Sequence, residues 1–250
     1  EAVSRLCALH PSYKDRLQCV SCDVSSDASV KRAAKEIETQ LKQVKSPLFG
    51  LVNNAGIGSS PKGHKEVFNV NLYGPKRVFE ALYPLLEPKE GRVLLVSSAA
   101  GPNFVAKQED TTQAMLTNRD VKFEEIEGFI HTFLDASDDN ESHSGLASSY
   151  GASKAALNAY LLFLYKRFPN FFVNALTPGF IETDLTMPMA DARGVSAKEM
   201  GMKTPFEATD VYFKLLFETE EKGWYFGSDA KRSPLHCYRE PGTVAWDGSF

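Results

Sequence analysis

Two side chains four positions apart could together move a proton: Tyr150 and Lys154, in Tyr150-Gly151-Ala152-Ser153-Lys154. Positions i and i+4 share one face of a helix, so a phenol and an ammonium would be presented to one site. A free phenol ionises near about 10, and a neighbouring cation favours phenolate and lowers that value. A group tuned in this way suits proton transfer at a carbonyl oxygen, because general acids work best with a pKa near the operating pH. Spacing alone fits an ordinary amphipathic helix with one Tyr and one exposed Lys equally well, so the reading depends on companions. A hydrolytic serine is not among them. The chain has no Gly-x-Ser-x-Gly elbow, and no histidine stands in a triad setting.

The elements that must position this pair alternate along the chain. Residues 1–9 have a helical pattern stopped by Pro11, and Leu17 to Val24 is an apolar, β-prone run. Asp27 to Val44 places Val30, Ala33, Ala34, Ile37 and Leu41 at helical spacing, with Ser26 or Asp27 able to cap the start. Leu48–Val52 and Arg92–Ser97 are predicted strands, with a helical region over Glu66–Leu86 between them. Tyr150–Phe168 is a predicted helix, Phe171–Leu176 a strand, Pro205–Phe217 a helix and Trp224–Gly227 a last short strand. The strands are near-continuous apolar runs, as in a parallel sheet covered on both faces. The predicted class is therefore α/β, a doubly wound parallel sheet, with ligands bound beyond the carboxyl ends of its strands. Three candidate motifs fall at such ends: Asn53-Asn54-Ala55-Gly56, Ser97-Ser98 and Pro178-Gly179. Residues 102–146 break the rhythm. They are read as an insertion with one helix over about Lys122–Leu134, flanked by loops, and the run 138–141 as a solvated loop.

Composition excludes several classes. With 28 basic and 32 acidic residues, the net charge of −4 gives no nucleic-acid footprint. No apolar run is long enough to span a bilayer, so neither a nucleic acid nor a membrane is an expected partner. Four cysteines are too few for a disulfide framework. Cys19 and Cys22 have metal-ligand spacing but no second pair, and in a strand they would point to opposite faces. They are read as buried free thiols, and no metal is expected. A reducing, cytoplasmic setting follows.

In this order and at these spacings the motifs resemble the short-chain dehydrogenase/reductase family over about Leu17 to Gly227. The matching pieces are Asp23-Val24, Asn53-Asn54-Ala55-Gly56, Asn71 in Asn69-Val70-Asn71, Ser97-Ser98-Ala99-Ala100-Gly101, Tyr150…Lys154 and Pro178-Gly179-Phe180-Ile181-Glu182-Thr183. The 52 positions between Ser98 and Tyr150 resemble the monomeric carbonyl-reductase subgroup, in which the inserted helix covers the surface used elsewhere for oligomerisation. The resemblance implies a monomeric oxidoreductase that reduces a small-molecule ketone, aldehyde or quinone, with NADP(H) favoured over NAD(H). Tyr150 would be the general acid. Lys154 would stabilise its phenolate and hold the nicotinamide ribose. Ser98 would hydrogen-bond the carbonyl oxygen, while Ser97 only starts a turn. Asn71 would kink its helix and hold a water linking Lys154 to solvent, with Asn69 a spectator. Cofactor binding would fall to Asp23 and Val24 at the adenine, Asn54, Ala55 and Gly56 along the edge, Tyr150 and Lys154, and Pro178, Gly179, Ile181 and Thr183 at the carboxamide. Residues 180–204 would form a substrate lid.

One family feature is absent: the glycine-rich phosphate turn that follows the first strand. No glycine precedes Gly50. Residues 1–250 are therefore read as a single Rossmann-type domain, N-terminally truncated and lacking its first βαβ portion. On this reading the chain alone would not reduce carbonyls with measurable NADPH consumption. The alternative is a catalytically silent relative acting as a dinucleotide-binding or interaction protein.

Overall fold

The computed structural model describes residues 2–44, 47–136 and 145–249. Its short apolar runs form four strands, β1 (Gly50–Asn53), β2 (Arg92–Val96), β3 (Phe172–Leu176) and β4 (Tyr225–Phe226). They make one parallel sheet in the order β1-β2-β3-β4. Leu94 of β2 aligns with Val52 on one side and Asn174 on the other. Because side chains alternate, Val93, Leu95, Val173 and Ala175 face one apolar cluster, and Leu94, Val96 and Leu176 face another. Both faces are therefore covered, as the continuous apolar runs required.

Two helices precede the sheet, α1 (Ala2–Leu9) and α2 (Asp27–Val44). The Ser26 hydroxyl caps α2 by accepting from the Ser29 N–H at 3.4 Å. Between β1 and β2 lie α3 (His64–Phe68), a π-helical turn over Asn69–Tyr73, and α4 (Gly74–Leu82). Between β2 and β3 come α5 (Ala100–Val105), α6 (Asp110–Thr117), α7 (Phe123–Ala136) and α8 (Gly145–Arg167). Between β3 and β4 come α9 (Met187–Asp191), α10 (Thr209–Phe213) and a π-helical turn over Lys214–Glu218.

The longest of these, α8, is buried all round from Gly151 to Leu162, as expected of a helix in the middle of a layer. Small residues make this possible. A Cβ at Gly151 would come 3.1 Å from the Ala100 carbonyl oxygen, and one at Gly101 would come 3.1 Å from the Lys154 carbonyl carbon. The backbones of α5 and α8 thus touch through two glycines, which fixes the end of β2 against the turn of α8 that carries Tyr150 and Lys154.

The structure corrects five expectations. Residues 17–23 form no strand. A strand needs a neighbouring ladder for its N–H and C=O groups, and this run pairs with none of the four strands. Instead Val20 and Cys22 join Val30, Ala33 and Val52 around an apolar cavity of about 240 Å³ beside β1, the end strand of the sheet. The buried Asn53 Nδ2 has no partner there. For the same reason Cys19 and Cys22 are exposed rather than buried. In the insertion, α7 occupies the predicted helix, but the expected loop before it contains α5 and α6. Leu116 and Val105 are buried against the main core, so tertiary packing forms helices that local periodicity does not announce. Finally, α8 starts five residues before Tyr150, and the late helix begins at Thr209 rather than Pro205. The predicted loop at 138–141 lies outside the described residues.

Candidate active site

The carboxyl ends of β1, β2 and β3 open into a cavity of about 720 Å³. From β1 come Asn54 and Gly56, from β2 Ser97 and Ser98, from α8 Tyr150 and Lys154, and from the segment after β3 Pro178, Gly179, Ile181 and Thr183. Ten residues spread over 130 positions of sequence thus meet at one rim.

Lys154 is the most constrained of them. Its ammonium is buried and donates to the Val96 carbonyl at 2.8 Å. Burial pushes its pKa down to about 8, because the charged form loses hydration. The ammonium lies 5.6 Å from the centre of the Tyr150 ring. Tyr150 does not show the lowering that its neighbouring cation suggested. Burial raises its pKa above the usual phenol value, and the Ser98 hydroxyl within hydrogen-bonding reach only partly opposes this. The phenol therefore stays protonated at neutral pH. Ser98 also accepts from the Ala100 N–H at 3.2 Å at the start of α5. Ser97 points the other way, its hydroxyl donating to the Lys154 carbonyl at 3.4 Å.

Asn71 is fully buried in the π-helical turn, so the helix does deform at this residue. Its amide donates to the Ile57 carbonyl at 2.9 Å and to the Ser153 hydroxyl at 3.0 Å, and its oxygen accepts from the Ile57 N–H at 2.8 Å. It ties the loop after β1 to α8. A Cβ at Gly56 would stand 3.3 Å from the Asn71 oxygen and 3.4 Å from the Lys154 ammonium, so the backbone passes close between both groups and a side chain there would crowd them. Gly179, at φ +95°, turns the chain after β3 in a conformation that favours glycine. Asn69 serves structure. With the Val24 carbonyl and Asp27, it is held by the Arg77 guanidinium.

Three predicted cofactor residues are not brought to this cavity. Asp23 is exposed, and its carboxylate accepts from the Ser25 N–H and hydroxyl at 2.9 and 2.7 Å in the turn before α2, which holds its pKa below the usual carboxylate range. Val24 packs on Gly74, and both Val24 and Ala55 line the apolar cavity beside β1. Sequence reasoning also missed residues that do line the site. Tyr212 of α10 donates to the Asn54 side-chain oxygen at 3.1 Å, and burial raises its pKa to about 12. Thr177 lines the same cavity, and so do Phe180 and Met189, which lie in the segment predicted to shape the substrate pocket. A Tyr at helical spacing in α10 carries no motif; only the site's position at the strand ends could have pointed to it.

The segment predicted as a lid is pinned at its neck. Ile181 and Lys203 form a parallel bridge, with Glu182 N–H donating to Lys203 at 2.9 Å and Lys203 N–H donating to Phe180 at 2.8 Å. Among the described residues no group of three or more His, Cys, Asp or Glu side chains could hold a metal, and no helix is long and apolar enough to cross a membrane.

Comparison with known proteins adds to this geometry. The family model for short chain dehydrogenase matches residues 1–109. A (+)-neomenthol dehydrogenase of Arabidopsis thaliana is 30% identical over 214 residues, which span 73% of this chain and 69% of that protein. A (-)-isopiperitenone reductase of Mentha piperita is 30% identical over 178 residues, 69% of this chain and 56% of its own length. Among solved structures, menthone neomenthol reductase from Mentha piperita matches with a TM-score of 0.64 at 25% identity, over 90% of this chain and 84% of that one. NADPH-bound carbonyl reductase from chicken fatty liver matches with a TM-score of 0.62 at 24% identity, over 93% and 81%. Relatedness over most of the length of an oxidoreductase, on a sheet that gathers these motifs at one rim, makes this chain a member of the short-chain dehydrogenase/reductase family.

Proposed function

We propose that the chain carries the proton-transfer half of a carbonyl reductase that uses NADP(H) in preference to NAD(H) and acts on ketones, aldehydes or quinones. The observation that carries this reading is the buried Lys154 ammonium beside a protonated Tyr150 and Ser98, on one wall of an open cavity. The residues fit the nicotinamide-ribose half of a cofactor. An ammonium has three donors, Lys154 reaches one protein acceptor, and ribose hydroxyls would take the others beside the bare backbone of Gly56. When bound, the nicotinamide supplies the hydride that adds to the carbonyl carbon.

Tyr150 gives its proton to the carbonyl oxygen, and the Ser98 hydroxyl donates to the same oxygen as negative charge develops there. Lys154 then stabilises the phenolate. Asn71 fixes the loop and α8 so that these three groups keep their spacing, and it would hold the water that links Lys154 to solvent. Pro178, Gly179, Ile181 and Thr183 would position the carboxamide, and the pinned lid would exclude water. Asp23, Val24 and Ala55 are assigned to the adenine side, next to the cavity beside β1. The NADP(H) preference follows the inserted subgroup that the chain resembles. A monomer is favoured by the way α7 covers α8, with Phe123 against Tyr160 and Phe163 at ring separations of 5.8 and 5.9 Å, and a cytoplasmic setting by the few cysteines of the chain. The plant relatives are named for neomenthol and isopiperitenone, so small cyclic ketones are the first substrates to assay.

A second reading is favoured by one observation. The sheet edge at β1 faces an apolar cavity. On that reading the chain is a silent dinucleotide-binding or interaction protein. Retention of Asn71, Ser98, Tyr150 and Lys154 together argues against it. The test is NADPH oxidation with cyclic ketones by the full-length protein, its Tyr150→Phe variant and the 250-residue chain alone. The expected result is turnover by the first, a loss of about a thousandfold in the second, and none in the third. Unchanged turnover in Tyr150→Phe removes Tyr150 as the acid. Robust turnover by the chain alone refutes the need for a preceding βαβ unit.

A further inference from the structure

Ser98 has a second side. Adjoining the Lys154 cavity, and sharing Ser98, Thr177, Gly179 and Phe180 with it as lining, is a smaller cavity of about 210 Å³. Its far wall comes from the segment after β4, notably Ser233, Tyr238 and Arg239. No motif pointed to this segment. Its geometry is nevertheless specific. The Arg239 side chain, only 7% exposed, pairs with Asp229. Its remaining nitrogens donate to the Ser233 hydroxyl at 2.9 Å and to the Glu240 and Thr243 carbonyls at 3.2 Å each. A Cβ at Gly227 would fall 2.6 Å from the guanidinium and 2.8 Å from the Asp229 carboxylate, so a side chain there would push the ion pair aside. Every nitrogen of Arg239 is thus engaged, and its charge is cancelled at contact distance.

We propose that this cavity receives the part of the substrate remote from the carbonyl, and that the Asp229–Arg239 pair selects neutral, oxygenated rings over carboxylates. The inference rests on the reductase reading above. Arg239 is the only residue with a charged side chain among those lining the cavity. With that charge paired, an incoming carboxylate would lose its hydration without gaining a free cation. A neutral ring would meet the Tyr238 phenol and the Ser228 hydroxyl, which also line the wall, and the apolar faces of Pro102 and Phe180. Specificity would then come from a cation that is present but already satisfied.

The test compares two ketones of one shape in the full-length protein, cyclohexanone and 4-oxocyclohexanecarboxylate. Asp229→Asn keeps the shape of the side chain and frees the Arg239 charge. The ratio of kcat/KM for the keto acid to that for cyclohexanone should rise about tenfold or more. An unchanged ratio, with cyclohexanone still reduced, overturns the subsite and leaves the reductase reading standing. If the native protein reduces neither ketone, the subsite proposal is overturned, while the reductase reading, which also covers aldehydes and quinones, is decided by the Tyr150→Phe comparison above. Should Asp229→Asn fail to fold, Tyr238→Ala serves, because Tyr238 is half-exposed. It should raise KM for cyclohexanone about fivefold with kcat moving much less, and an unchanged KM overturns the proposal.

Discussion

The two ends of the sheet are built differently. From β2 to β4 the strands are sealed on both faces: Val93, Leu94, Leu95, Val173 and Ala175 are fully buried, and α8 beneath them is buried all round. At β1 the covering stops. Val52 is exposed, Phe49 stacks on the exposed Phe217 at 5.4 Å, and Leu6 and Leu9 of α1 face solvent. The chemistry divides along the same line. Ser98, Tyr150 and Lys154 belong to the sealed part, whereas Asp23, Val24 and Ala55 belong to the open part. A proton-transfer site that must hold a desolvated lysine needs a dry, rigid surround. On the function proposed above, the open edge would contribute to dinucleotide binding and could be completed by other residues.

The largest expected effect tests the sealed part through its buried charge. Lys154→Met should lower kcat of the full-length protein by about a hundredfold or more, because the phenolate loses its partner. The same change should stabilise the fold. The ammonium has a pKa of about 8 in the folded chain and about 10.4 when unfolded. Between those values the unfolded chain holds more protons, so stability rises with pH from 8 to about 10. Below pH 8 the buried charge costs roughly 3 kcal/mol. Met removes that cost but leaves the Val96 carbonyl unsatisfied, which returns about 1 kcal/mol or more. Urea unfolding at pH 7 should show a net gain of about 2 kcal/mol that shrinks at pH 9 to 10. A loss of stability at pH 7 would show that the lysine is held by interactions stronger than its desolvation.

Two packing substitutions grade the same region. Leu94→Ala in β2 empties a fully buried position and should cost about 2–5 kcal/mol in urea unfolding. Gly151→Ala should cost about 1–3 kcal/mol, since its Cβ would sit 3.1 Å from the Ala100 carbonyl and from the Phe104 Cβ. It also moves α5 relative to α8, and so Ser98 relative to Tyr150. A fall in kcat larger than the stability loss explains is therefore expected, and unchanged kcat with normal stability would show that the close helix contact does not position the site.

The legibility of the sequence follows the same division. Asp27 to Val44 was readable to the residue, because an amphipathic surface helix with a Ser cap carries its own signals. The strand ends and the Tyr150–Lys154 face were readable because continuous apolar runs and i, i+4 spacing determine them locally. Leu17 to Val24 was misread because β-propensity gives no strand without a neighbour to pair with. The short helices α5 and α6 were hidden because Val105 and Leu116 become helical only by burying against the core. Tyr212 was invisible for a related reason: it reaches the site from a segment whose own pattern is unremarkable, and only the packing of α10 on the sheet brings it there.

The smallest effect tests the open part. Val52→Lys on β1 places a charge at a position 37% exposed, next to the apolar cavity that Val20, Cys22 and Val30 line. In the 250-residue chain the ammonium can reach water along its flexible stem, so the cost in urea unfolding should stay within about 0.5 kcal/mol. If a preceding βαβ unit covers this edge in the full-length protein, the same lysine would be buried there without a partner, and the cost should rise by several fold to about 2 kcal/mol or more. The same substitution measured in both lengths thus reports whether the exposed edge is a natural surface or one that another segment covers. Equal, small costs in both would mean that β1 ends the sheet in the whole protein. The cofactor's phosphates would then have to be held by something other than a unit docked on that edge.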